Sequence, residues 1–128
     1  DERGLQGSIR LMGPTKTIGK EYSESSMIVM SSHYEGFPMV MIEAMACGLP
    51  AVSFDFKCGP KDIIKEGENG LVVSDGDIDG LAEAMVTLMR DDELRKSMGE
   101  EAKKVVETFS EAKVMDKWVR LYEETIAD

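Results

Sequence analysis

Cysteine and histidine are scarce in this 128-residue chain and basic residues are outnumbered by acids, and each imbalance excludes something. The two cysteines, Cys47 and Cys58, lack the spacing of a metal site. Each reads as a small buried hydrophobe in a reducing compartment rather than half of a disulfide. The single histidine, His33, has no neighbouring residues that spell a Ser–His–Asp or Cys–His constellation, and it reads as structural or solvated. Lys and Arg total 15 against 25 Asp and Glu, and the net charge of −10 argues against nucleic acid as a partner. No stretch is long and apolar enough for a transmembrane helix, and the first residues lack the pattern of a signal peptide. With 42% hydrophobic residues there is material for one domain around one core. The acidity is uneven. Residues 1–60 carry seven acids and five bases, whereas 61–128 carry eighteen and ten, so an anionic ligand would meet the near-neutral half.

What is present centres on residues 31–50, SSHYEGFPMVMIEAMACGLP. They read as a strand end, a tight glycine turn, a helix and a stop. Pro38 suits the first helical position, where its missing N–H costs nothing. Gly48 followed by Pro50 ends the helix. Between them Met39, Val40, Met41, Ile42, Ala44, Met45, Ala46 and Cys47 leave no polar face, the pattern of a helix buried all round. Glu43 is its only charge, and an unpaired buried carboxylate is expensive. Two readings follow: Glu43 pairs with a core Arg or Lys, or it faces a cleft and binds something there.

The other end of the helix favours the cleft. Free N–H groups near Gly36, Phe37, Met39 and Val40, with the helix dipole, make an anion or hydroxyl site. Glu43 lies five residues past Pro38, roughly 7–8 Å along the axis, and helical side chains lean back toward the N-terminus. Glu35 stands on the turn just before the helix, where an acid is also favoured by the dipole alone. Two carboxylates flanking a ring of N–H donors suit a ligand with phosphates in the middle and hydroxyls at both ends, the layout of a nucleotide sugar. A two-carboxylate glycosidase is a weaker rival, because the surroundings of Glu35 and Glu43 do not suit an acid–nucleophile pair.

Taken in order, residues 1–7 show no periodicity and look like a cut end. Residues 8–12 read as a short strand ending at Gly13-Pro14, and 18–25 as a short helix marked by Ile18 and Tyr22. Residues 27–31 form a continuous apolar run, the mark of a strand buried on both faces, and 51–54 form another. Pro60 opens a short helix to about Glu66, and residues 67–70 turn the chain into a fourth strand at 71–73. Strands alternating with helices through short turns imply a parallel sheet with right-handed crossovers. The last third is helical. Ile78, Leu81, Met85, Leu88 and Met89 mark one stripe. Leu94, Met98, Ala102, Val105 and Phe109 mark a second, capped by Asp91 or Asp92. Val114, Trp118, Leu121, Tyr122 and Thr125 mark a third, with Ser110 as cap and Trp118 expected in the core. Asp75, Asp77 and Asp79 match the first half of an EF-hand calcium loop, but Val86 occupies the position of its bidentate Glu. They read instead as a strand end and a helix cap.

Glu35 and Glu43 are separated by seven residues within S-x-x-E-G-F-P-x-x-x-x-E-A-M-A-x-G-x-P. This closely resembles the Glu-x7-Glu signature of the retaining glycosyltransferases of family 4, which have the GT-B fold. The likeness continues through Ala51-Val52-Ser53, residues 59–64 (GPKDII), 66–73 (EGENGLVV), 81–85 (LAEAM) and 91–95 (DDELR), and so covers about residues 8–122.

The resemblance implies an α/β, Rossmann-like parallel sheet flanked by helices with a helical C-terminal third, and that residues 1–128 are part of a C-terminal nucleotide-sugar-binding domain. Glu43 would accept hydrogen bonds from ribose hydroxyls. Glu35, the catalytic candidate, would hold the transferred sugar and distal phosphate together with the backbone of Gly36, Phe37 and Pro38. Gly13 and Pro14 would border the base. The donor would be a nucleoside-diphosphate sugar, the acceptor a hydroxyl of a glycan, polysaccharide or lipid-linked molecule, and no essential metal is expected. The partner would be an N-terminal acceptor domain of the same chain, through which peripheral membrane association could arise in an otherwise cytoplasmic enzyme. Without it the fragment is expected to be inactive. The family's diphosphate-binding Arg and Lys fall in a segment upstream, and neither Arg3 nor Arg10 stands in a matching motif. By the same likeness, the last helix crosses back onto the other domain. A nucleotide-sugar epimerase of the same fold and a non-enzymatic acidic interaction module are the alternatives.

Overall fold

The computed structural model describes residues 4–57 and 59–126, so Arg3 and Cys58 lie outside it. Three strands, β1 (Ile28–Met30), β2 (Ala51–Asp55) and β3 (Gly70–Ser74), form one parallel sheet in the order β1-β2-β3. Ile28 pairs with Ala51, and Ala51 with Gly70. The last pairing explains a glycine: a Cβ at residue 70 would sit 2.4 Å from the Ala51 carbonyl oxygen. Among the described residues, seven helices accompany the sheet: α1 (Ile18–Ser23), α2 (Met39–Ala46), α3 (Pro60–Ile63), α4 (Ile78–Arg90), α5 (Asp92–Ala102), α6 (Val106–Phe109) and α7 (Glu111–Ile126), with a 3-10 turn at Lys103–Val105.

The central strand fits its sequence. Ala51, Val52, Ser53 and Phe54 are all buried, so both faces of β2 are covered. Met41, Met45, Leu88, Met98 and Ala102 join them in the main core. The stripe from Leu94 to Phe109 packs inward as its spacing predicts, broken only by the 3-10 turn. Asp91 caps α5 by accepting from the Leu94 N–H at 2.8 Å. Gly99 lets α5 meet the end of α2, since a Cβ there would lie 2.4 Å from the Gly48 carbonyl oxygen.

Several expectations are corrected. Residues 8–12 form no strand: Leu5 O accepts from the N–H groups of Ser8 and Ile9 in a turn, and residues 9–15 run exposed without a ladder. A strand exists through its ladder, and among the described residues no neighbour supplies one here. β1 is not buried on both faces: Val29 is exposed, and the strand also lies at the sheet edge. α3 stops at Ile63 rather than near Glu66. The buried Asn69 accepts from the Lys65 N–H at 2.8 Å and holds the chain in a turn, and the Glu66 carboxylate takes the Val72 N–H at 2.6 Å. Ile78 and Met89 face outward from α4, leaving Leu81 and Leu88 as its fully buried contacts. On α7 no described residue is buried, and Trp118, 48% exposed, lies tilted against Tyr122 with ring centroids 5.9 Å apart. Ser110 meets α7 through its carbonyl, which accepts from the Val114 N–H.

Candidate functional site

The connection from β1 to α2 runs along the carboxyl end of the sheet. Tyr34 bridges to Lys57 beyond β2, which lays the loop beside the next strand's exit. Within it the Ser32 hydroxyl donates to Glu35 Oε1 at 2.7 Å, fixing a half-buried carboxylate just ahead of the helix. Phe37 is partly exposed and its ring lies 5.7 Å from that of Phe109. Pro38 is fully buried and stands one position earlier than expected, at the cap, with its carbonyl accepting from the Met41 N–H. Gly59 makes room for it: a Cβ there would lie 2.7 Å from Pro38 Cδ.

Of the N–H groups expected at this mouth, that of Met39 is taken by the Phe37 carbonyl at 2.9 Å. Those of Gly36, Phe37 and Val40 have no backbone acceptor among the described residues. Gly36 does not have a positive φ, so the turn is not the glycine turn its sequence suggests. A Cβ at Gly36 would meet nothing within 4 Å, so neither backbone nor packing in this chain demands a glycine.

α2 is not buried all round. Met41, Ile42, Ala44 and Met45 face the core, while Met39, Val40, Glu43 and Cys47 lie on its exposed side. Cys47 is therefore not the buried hydrophobe its scarcity suggests. Glu43 makes no ion pair among the described residues, which removes the reading of a paired core charge. Its Oε2 lies 3.4 Å from the hydroxyl of Tyr22, which also reaches the Val40 carbonyl at 3.4 Å. Burial, and then the neighbouring Glu43, hold the Tyr22 phenol above its ordinary pKa, so it is a protonated donor at neutral pH.

Two of these contacts were invisible in the sequence. The Tyr22 hydroxyl reaches α2 across 21 residues, and His33 pairs with Asp75 across 42. Asp77 accepts from the Gly80 N–H at 2.9 Å and caps α4, so the acidic turn after β3 is used in folding. Gly13, with φ of +66°, and Pro14 lie in the exposed segment and make no hydrogen bond to the mouth of α2. A cleft of about 140 Å³ lies elsewhere, between the α3–β3 turn and the α5–α6 junction, and is lined by Lys65, Asn69, Glu101 and Phe109 among others. The mouth of α2 is an open surface.

An open parallel sheet with its polar loops gathered beyond the strands' carboxyl ends is the layout in which α/β proteins bind ligands. Residues 1–105 match the family described as glycosyl transferases group 1, and the chain belongs to that family. The sheet, its flanking helices and the helical last third are those of a GT-B glycosyltransferase. An exopolysaccharide phosphotransferase of Streptomyces coelicolor is 38% identical over 125 residues, 97% of this chain and 13% of that protein. The poly(ribitol-phosphate) α-N-acetylglucosaminyltransferase of Staphylococcus aureus is 32% identical over 95% of this chain and 25% of its own length. A solved S. aureus TarM variant, complexed with fondaparinux, α-GlcNAc-glycerol and UDP, superposes with a TM-score of 0.88 at 32% identity, over 94% of this chain and 25% of that one. The chain thus spans an eighth to a quarter of the curated relatives named here.

Proposed function

We propose that this chain is the donor-binding part, from the C-terminal domain, of a retaining family 4 glycosyltransferase. The whole enzyme moves a sugar from a nucleoside diphosphate to an acceptor hydroxyl, with an N-terminal domain carrying the acceptor. The observation that supports this best is Glu43: a carboxylate without a cation among the described residues, on the exposed side of a helix at whose mouth the N–H groups of Gly36, Phe37 and Val40 have no backbone acceptor. In this reading Glu43 accepts from the ribose diol. Glu35, oriented by Ser32, holds the transferred sugar and distal phosphate together with the N–H groups of Gly36 and Phe37. The buried ring of Pro38 sets the direction of the helix. Gly13 and Pro14 border the base. The reaction uses no essential metal and takes place in the cytoplasm, with any membrane association coming through the acceptor domain.

The test is Glu43→Gln. An exposed charge without an ion pair leaves stability within about 0.5 kcal/mol when neutralised, so denaturant unfolding of this chain should barely change. In the whole enzyme, losing a charged acceptor for a hydroxyl costs about 1.5–3 kcal/mol, roughly tenfold to a hundredfold in donor affinity. Unaltered donor kinetics would overturn the reading.

The likeness to an exopolysaccharide phosphotransferase supports a second reading, in which the same donor layer serves transfer of a phosphoryl-linked group. Product analysis separates the two: a glycosidic bond with release of nucleoside diphosphate supports the first, and a sugar phosphodiester with release of nucleoside monophosphate supports the second. On either reading the 128-residue chain alone should transfer nothing, and sustained turnover by it would refute the divided site.

A further inference from the structure

We propose that Tyr22 is a positioning residue for the ribose diol of the donor, acting through Glu43. The inference rests on the reading of Glu43 as the diol's acceptor. Tyr22 belongs to α1, and its ring packs with Ala44 and Leu49 in a small cluster separate from the main core. The ring is only 8% exposed, so the phenol is held by packing, and its hydroxyl emerges where α2 turns its open side outward.

That hydroxyl carries one proton and meets two acceptors at equal distance, the Val40 carbonyl and Glu43 Oε2, both at 3.4 Å. The Val40 carbonyl has an intrahelical N–H to accept from four residues on. The Glu43 carboxylate has no other hydrogen bond or ion pair among the described residues, and an exposed glutamate is otherwise free to change rotamer. Two vicinal hydroxyls bind a carboxylate well only where both oxygens are already placed. A phenol O–H on one lone pair of Oε2 places the group and leaves the remaining lone pairs for the diol. A phenol keeps its proton at neutral pH in any case, and burial and Glu43 raise its pKa further.

The experiment uses the whole enzyme and two probes, uridine diphosphate and its 2′,3′-dideoxy counterpart. Tyr22→Phe keeps the ring and removes only the hydroxyl. The preference for the ribose form should fall by about three- to tenfold, less than the full loss of a charged hydrogen bond. It should fall no further when Tyr22→Phe is added to Glu43→Gln, because the tyrosine acts only through the carboxylate. A packing role would weaken both probes alike and leave their ratio unchanged. A changed ratio in Glu43→Gln with the original ratio in Tyr22→Phe overturns the positioning role alone. An unchanged ratio in Glu43→Gln overturns the reading beneath it. A further measurement does not depend on how Tyr22→Phe folds: Glu43→Gln should lower the alkaline titration of Tyr22, and an unmoved titration would show that the two side chains do not meet.

Discussion

The imidazole of His33, just past β1, hydrogen-bonds the carboxylate of Asp75, just past β3, at 2.6 Å, and lies stacked on Phe54 of the strand between them. One side chain therefore spans the carboxyl end of all three strands and fastens the loop that carries Glu35. The turn after β3 favours glycine through its backbone: Gly76 has φ of +78°, while a Cβ there would make only an ordinary contact with the imidazole, at 4.0 Å.

The pair is largely exposed, so it contributes little to global stability. Asp75→Asn should lower the unfolding free energy by less than about 1 kcal/mol. Its effect should be local, with faster amide exchange in residues 32–36 and unchanged exchange in β2. Exchange rising equally in both segments would mean that the pair supports the whole sheet.

Tyr22 makes stability depend on pH at the alkaline end. Its phenol is held above the ordinary 10.0 by burial first, then by Glu43 and by Cys47. The unfolded chain loses this proton before the folded chain does. The contribution is therefore fully present below about pH 10 and is lost as pH rises through the raised value. Denaturant unfolding at pH 9 and pH 11 should show a smaller fall in Tyr22→Phe than in the parent. Equal falls would contradict the shift.

Gly99→Ala sets two effects against each other. In a helix interior alanine is favoured over glycine by about 1 kcal/mol. Here the new methyl would lie 2.4 Å from the Gly48 carbonyl oxygen, a backbone atom that cannot swing aside. Overpacking of this kind costs about 1–3 kcal/mol, and the fixed neighbour places it at the upper end. The variant should unfold at lower denaturant, and a stabilised variant would show that the α2–α5 contact is looser than described.

Asp77 caps α4, accepting from the Gly80 N–H at 2.9 Å. Asp77→Ala should cost about 1 kcal/mol, the usual value of such a cap. Millimolar calcium should leave the melting temperature of the parent chain unchanged. A shift worth more than about 1 kcal/mol would indicate a site occupied at ten times its dissociation constant.

The legible parts of the fold were those decided locally. The run Ala51-Val52-Ser53-Phe54, apolar but for one small serine, gave a strand covered on both faces, and the stripe from Leu94 to Phe109 gave its helix and buried side. Periodicity shows which side chains are apolar, not what covers them. For that reason Trp118 and Tyr122, Ile78 and Met89, and the Met39–Val40 side of α2 looked buried and are not. The strand expected at residues 8–12 failed similarly, since hydrophobicity cannot supply a ladder partner. At the site, spacing and residue type singled out Glu35 and Glu43, and the structure sets both where solvent reaches them. Their supports were out of reach, because Tyr22 and His33 act across 21 and 42 residues with no local pattern linking them.

The edge position of β1 bears on how this polypeptide behaves in solution. Among the described residues nothing pairs with its outer side, so a row of backbone donors and acceptors stands open beside the exposed Val29. Nearby in sequence, residues 9–12 present Ile9, Leu11 and Met12 to water in an unladdered stretch. An open edge is a template for another chain's strand, and parallel sheets complete their long-range pairing slowly. Refolding at high protein concentration therefore sets intramolecular closure against edge-to-edge association, and dilution favours the monomer.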